Sequence, residues 1–100
     1  MRFKLLYSNR FFDDLQQDID WYNAKQAGLG ARFFVAIKNR LAEIKRNPYS
    51  VAIRYDDVRC AVVKKFPYMI HFRVLPKDKT IEVIAVFSTH RNPESWKNLK

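Results

Sequence analysis

Apolar positions in the first half of the chain recur with a helical period. A short alternating segment, RFKLLY, comes first and puts Phe3, Leu5 and Tyr7 on one side of a strand of about five residues. Phe12, Leu15, Ile19 and Tyr22 then follow at spacings of 3, 4 and 3, which keeps them on one face of an α-helix. Ser8 stands where an N-cap is expected, because its hydroxyl can accept from the orphan amides of a first helical turn. Asp13 and Asp14 fall in the first turns and complement the positive end of the helix dipole. The helix ends near Gly28, where GLG breaks the pattern, since glycine takes the left-handed conformation that closes a helix. Phe34, Ile37, Leu41 and Ile44 repeat the 3, 4, 3 spacing, with Arg32, Lys38, Asn39, Glu43 and Lys45 on the other faces. Asn47-Pro48 ends this second helix, because the residue before proline avoids helical backbone. Two amphipathic helices joined by so short a break fold back as an antiparallel hairpin. Such a hairpin still needs a sheet on which to bury its stripes.

Beyond Pro48 the period drops towards two. VAIRY reads as a short, irregular strand closed by a turn at Asp56-Asp57, and VRCAVV as a β-branched strand ended by Lys64 to Pro67. YMIHFRVL alternates: Tyr68, Ile70, Phe72 and Val74 face one way, and Met69, His71, Arg73 and Leu75 the other. PKDK forms a hairpin loop, and TIEVIAVF is apolar on both faces, as a central strand is. The predicted class is α+β in the order β-α-α-β-β-β, a mostly antiparallel sheet with an N-terminal helical hairpin packed on one face. The Tyr68 set is expected beneath the helices. The opposite face, with His71 and Arg73, is expected to stand half open and positively charged, because lysine and arginine seldom leave water. Such a face is either a binding surface or simply solvated.

The 100 residues contain no repeat and no linker, so residues 1–100 are read as a single domain. Nineteen lysines and arginines against ten acidic residues give a formal net charge of +9, a field that draws nucleic acid, a ribosome surface or an acidic protein. No apolar run approaches the ~20 residues of a membrane span, and the basic start lacks the ~7–15-residue apolar core of a signal peptide. A cytoplasmic protein without membrane contact is therefore expected. Cys60, the lone cysteine, forms neither an internal disulfide nor a metal cluster and is expected to be a small buried hydrophobe. No metal or cofactor is expected.

Five stretches, in this order and spacing, resemble the RelE/ParE superfamily of toxins from bacterial type II toxin–antitoxin systems: FFDDLQQDIDWY, GLGARFF, the Asn-Pro stop, VRCAVVKKFPYMIHFRV and IEVIAVFSTHRNPESW. The last two are the most specific, and HRNPESW resembles the ParE-type end of the superfamily. The resemblance covers nearly the whole chain. It implies the fold just described and a cognate antitoxin that wraps the toxin and neutralises it. It also implies one of two modes of toxicity. ParE-like proteins inhibit DNA gyrase and are not known as nucleases, whereas RelE-like proteins enter the ribosomal A site and cut mRNA.

Cutting RNA requires cations around the scissile phosphate and a group that moves protons. By the resemblance, the RelE-like branch has lysines at the positions of Cys60 and Val62, an arginine at that of Met69, and a C-terminal tyrosine near Trp96 or Lys97. Only Arg91 matches. A sister nuclease branch uses a C-terminal histidine, which His90 mimics, but it too has the arginine that Met69 replaces and a tyrosine beside the histidine. These departures favour gyrase inhibition over an enzyme. Residues expected to contact the target or nucleic acid are Arg59, His71, Arg73, His90 and Arg91, and His90 and Arg91 are the candidates for any catalytic role. Trp96 is expected to pack the terminal segment back on the sheet. Two alternatives stay open: a ribosome-dependent endoribonuclease acting on mRNA with a rearranged site that includes Arg54, and a non-toxic basic domain that binds nucleic acid. The antitoxin is expected to use apolar grooves beside the helical hairpin and the sheet edge, as an acidic amphipathic helix or an added strand.

Overall fold

The computed structural model describes residues 2–89. Strand β1 (Lys4–Tyr7) leads into helices α1 (Phe11–Lys25) and α2 (Leu29–Arg46). A 3₁₀ turn at Pro48–Ser50 precedes β2 (Ile53–Tyr55), β3 (Val58–Val62) and β4 (Tyr68–Leu75), and a second at Pro76–Asp78 precedes β5 (Thr80–Ser88). The strands form one sheet in the order β1-β5-β4-β3-β2. β1 runs parallel to β5, and every other neighbour is antiparallel. The expected α+β fold is present, and the irregular segment VAIRY contributes the short edge strand β2, so the sheet has five strands.

The helical hairpin turns at Gly28, whose φ of 85° is left-handed. Gly30, just inside α2, lies against α1. Its amide donates to the Asn23 side-chain oxygen at 2.8 Å, and a Cβ there would meet the Ile19 carbonyl oxygen at 2.5 Å. No larger residue fits without separating the helices.

Ser8 does not cap α1. Its hydroxyl donates to the Ile84 carbonyl at 2.6 Å, which ties the end of β1 to β5. The helix starts after Arg10, which makes no side-chain cap and pairs instead with Asp14 at 2.8 Å.

Both helical stripes differ from expectation by one residue at their first position. Phe11, Leu15 and Tyr22 are buried in α1, while Phe12 is 57% exposed and rests beside the Tyr7 ring. Phe33, Ile37, Leu41 and Ile44 are buried in α2, while Phe34 is 40% exposed. Each helix carries a Phe-Phe pair, and a spacing of 3 or 4 suits either member. Packing decides between them: the Phe33 ring lies 5.0 Å from Tyr22, 5.2 Å from Phe66 and 4.8 Å from Tyr68, centroid to centroid.

The core between helices and sheet also takes Tyr68, Ile70 and Phe72 from β4 and Ile81, Val83 and Val86 from β5. The odd-to-even switch in β5 follows from a bulge: His71 pairs with Ala85 but Phe72 pairs with Val83, which leaves Ile84 as the extra residue.

Phe33→Ala is expected to cost about 3–5 kcal/mol of stability, as for a buried aromatic truncated to a cavity. Phe34→Ala should cost less than about 1 kcal/mol. Urea unfolding of the two variants checks this assignment, and equal losses would contradict it.

Candidate functional site on the outer sheet face

The sheet face turned away from the helices holds Met69, His71 and Arg73 from β4, as the alternation requires, but it is neither open nor broadly cationic. Met69, Ala85 and Phe87 are buried in a second, smaller cluster, with Tyr55, Cys60 and Ile84 packed against it. His71 has no exposed surface at all. The expectation of a half-open basic face fails because of β5: the bulge sends both Ile84 and Ala85 outward, and Phe87 follows on the same side. These apolar groups flank β4 on its outer side.

Arg73 remains partly exposed at this face. Its guanidinium pairs with Asp57 at 3.3 Å and with Glu82 at 3.4 Å. Arg59 does not join it. In the β3–β4 ladder Arg59 stands opposite Phe72 and so points to the helix side. There its guanidinium lies 5.2 Å from the Tyr49 ring centroid and donates to the Val51 carbonyl. His90, Arg91 and Trp96 lie outside the described residues. Of the five expected contact residues, the structure therefore brings together His71 and Arg73.

Cys60 and Tyr55 surround His71. Cys60 is the cross-strand partner of His71, and its Sγ lies 3.5 Å from Nδ1. The Tyr55 hydroxyl lies 3.0 Å from the same nitrogen. Burial penalises every charged form here. It lowers the His71 imidazole to about 4, with the nearby positive charge of Arg54 adding to the effect. Burial also raises the Cys60 thiol to about 11, against the opposing pull of Arg54. The Tyr55 phenol rises to about 12, first by burial and then by the negative charge that Cys60 and Asp56 would present. At neutral pH all three groups are uncharged. The phenol and Nδ1 then share one hydrogen bond, whose direction follows the imidazole tautomer.

The imidazole of this triad has no exposed surface, so it stands apart from the open faces of the protein. Cys60 was legible as His71's partner once β3 and β4 are paired about the Lys64–Pro67 turn. Tyr55 was not, because the β2–β3 register shifts between Ile53 and Tyr55.

The His71 shift carries a pH dependence. A group whose folded pKa is depressed leaves the unfolded chain binding the extra proton, so its contribution to stability is complete above about 6.5. That contribution is lost as the pH falls towards about 4. The loss attributable to this one group is roughly 3 kcal/mol. Thermal melts of the wild type and His71→Gln between pH 7 and 4 should show the variant with the flatter slope. Parallel slopes would contradict a buried neutral imidazole.

The family model of the ParE toxin of the type II toxin–antitoxin system parDE matches residues 5–93. No curated protein matches the chain by sequence. Among solved structures, one from the chromosomal ParDE system of P. aeruginosa aligns with a TM-score of 0.75 at 18% identity, over 87% of this chain and 96% of that chain. A double arginine-to-alanine variant of the E. coli toxin RelE in the free state gives 0.72 at 17% identity, over 97% and 93%. The intact E. coli RelBE toxin–antitoxin complex gives 0.68 at 17% identity, over 89% and 99%. Those likenesses establish a common fold, and the family match over most of the sequence establishes more: the chain belongs to the ParE toxin family of type II toxin–antitoxin systems.

Proposed function

We propose that this toxin arrests growth by binding DNA gyrase through a contact surface, without cleaving RNA, and that a cognate antitoxin neutralises it. The observation that carries this reading is the chemistry at three positions. Where the nuclease branch is expected to hold a phosphate with cations, this chain has Cys60, Val62 and Met69. The thiol stays protonated, the valine is 60% exposed and the thioether is buried. None of these holds a negative charge in a transition state. His71 offers no alternative, being neutral and enclosed.

Membership of the ParE family supports both the antitoxin and the gyrase-directed reading. The toxin–antitoxin complexes among the structural neighbours support the antitoxin further. Gyrase acts in the cytoplasm, and no helix among the described residues is long and apolar enough to cross a membrane. The net charge of +9 steers the protein towards an anionic target such as an enzyme with its DNA.

Purified protein added to gyrase and relaxed plasmid should reduce supercoiling. Translating ribosomes given the same protein should show no codon-positioned mRNA cuts. His90→Ala should leave inhibition intact, whereas Arg91→Glu should weaken it by roughly tenfold, as for a charge in a steered interface. The opposite pattern would overturn the proposal: A-site cleavage that falls by ~10²–10⁴ in His90→Ala would make the protein a ribosome-dependent endoribonuclease.

A further inference from the structure

The chain turns sharply after α2, and the turn sets one aromatic ring in water. Pro48 opens the 3₁₀ turn with its φ already fixed, and the Ser50 amide and hydroxyl both donate to the Asn47 carbonyl, at 3.2 and 2.8 Å. Pro48 is buried, while Tyr49 leaves 52% of its surface exposed. The ring is nonetheless held in place. Phe3 meets it in a T-shaped contact with centroids 6.1 Å apart, and the Arg59 guanidinium lies over it. Arg59 is fixed in turn by its bond to the Val51 carbonyl. Ile53, the cross-strand neighbour of Arg59 on the edge strand β2, extends this surface and is also exposed.

Phe3 lines a groove together with Arg2 and, from the end of α2, Lys45 and Arg46. All three cations are exposed. With Arg59 they place four positive charges near one open aromatic ring. Glu43 is the one carboxylate lining the groove, and it is paired with Arg40 at 3.1 Å. Lys45 and Arg46 also offset the C-terminal end of the α2 dipole. That role accounts for neither Arg2 nor a ring kept in water against an arginine.

This is the chemistry that grips a single strand. An unpaired base stacks on an open aromatic face, an adjacent arginine adds to the attraction, and further cations hold the phosphates. A duplex gains less, because its base faces are already covered by their neighbours. A protein hot spot also uses tyrosine and arginine, but its centre is otherwise poor in charge. Here four cations accompany a single large exposed aliphatic, Ile53. We propose that Tyr49, backed by Arg59 and flanked by Arg2, Lys45 and Arg46, binds an unpaired base and the neighbouring phosphates of single-stranded DNA. The choice of DNA rests on the gyrase-directed reading above; the stacking site itself does not.

Fluorescence anisotropy of a labelled oligo-dT of about 12 nucleotides, titrated with the purified protein, reads the site directly. Tyr49→Ala is expected to weaken binding roughly tenfold, as for the loss of one stacked base, with the salt dependence unchanged. Tyr49→Phe keeps the stacking face and should bind as the wild type does. Lys45→Gln/Arg46→Gln should instead flatten the slope of log affinity against log salt by about 1.4. All three positions are exposed, so the variants should melt with the wild type. A duplex of the same length should bind without responding to Tyr49→Ala. Equal affinity of wild type and Tyr49→Ala for oligo-dT, or no binding at all, would overturn the proposal. So would a tenfold preference for oligo-U. Loss of gyrase inhibition in Tyr49→Ala without any oligo-dT binding would make the patch a protein contact and overturn it as well. Tyr49-dependent oligo-dT binding by a protein that leaves supercoiling untouched would uphold the site and refute gyrase as the target.

Discussion

Strand β4 is covered on both faces along Tyr68–Phe72, and the surrounding structure is organised by what those five residues need. On the helix side, Tyr68, Ile70 and Phe72 require a large apolar partner, which the hairpin supplies through Tyr22 and Phe33. That close packing depends on Gly30, since a side chain there would push α2 away from α1. On the other side, Met69 and His71 require cover of a different kind. A bulge in β5 turns Ile84 and Ala85 outward together, and Phe87 follows. The aromatic ring of Phe87 stands edge-on to the imidazole with centroids 5.1 Å apart. A charged imidazole would be costly in this setting, so the residue is kept neutral and bonded to Tyr55.

Closing this face determines where the positive charge of the protein lies. A net charge of +9 has to be displayed somewhere. Arg73, the one arginine of β4, is pinned between Asp57 and Glu82. Arg59 is turned to Tyr49 on the helix side. Exposed cations stand along α2, at the Lys64-Lys65 turn and at Arg2, and also at Lys4, Arg10, Lys25, Arg54, Lys77 and Lys79.

The sequence made most of this architecture legible, because period and punctuation agree. Every helix and strand appears where the alternation or the 3-4 spacing implies, and Asn47-Pro48 ends α2 as expected. The parts that were not legible have identifiable causes. Phe11-Phe12 and Phe33-Phe34 each present two adjacent aromatics, and local spacing does not choose between them; tertiary contact with Tyr22, Phe66 and Tyr68 does. Ser8 has the right chemistry for a cap, but the nearby β5 carbonyl at Ile84 takes its hydroxyl instead. The outer face was misjudged because the alternation within β4 does not show that Tyr55 of the short edge strand, Cys60 of β3 and Ile84, Ala85 and Phe87 of β5 close over it. His71 looked like a surface cation on charge statistics alone. Only the three-dimensional pairing with Cys60 and Tyr55 reveals a buried, uncharged group.

The closed, neutral state of the outer face is open to direct observation at His71. Proton–carbon NMR of the imidazole Cε1–H across pH 3 to 8, in the folded protein, reports its titration and, through the ring nitrogens, its tautomer. A midpoint near 4 is the expected result. A midpoint at or above the ordinary value of 6.5 would mean that the imidazole meets water and charge. The outer face would then be an open basic surface, and the case against proton-transfer chemistry there would fail.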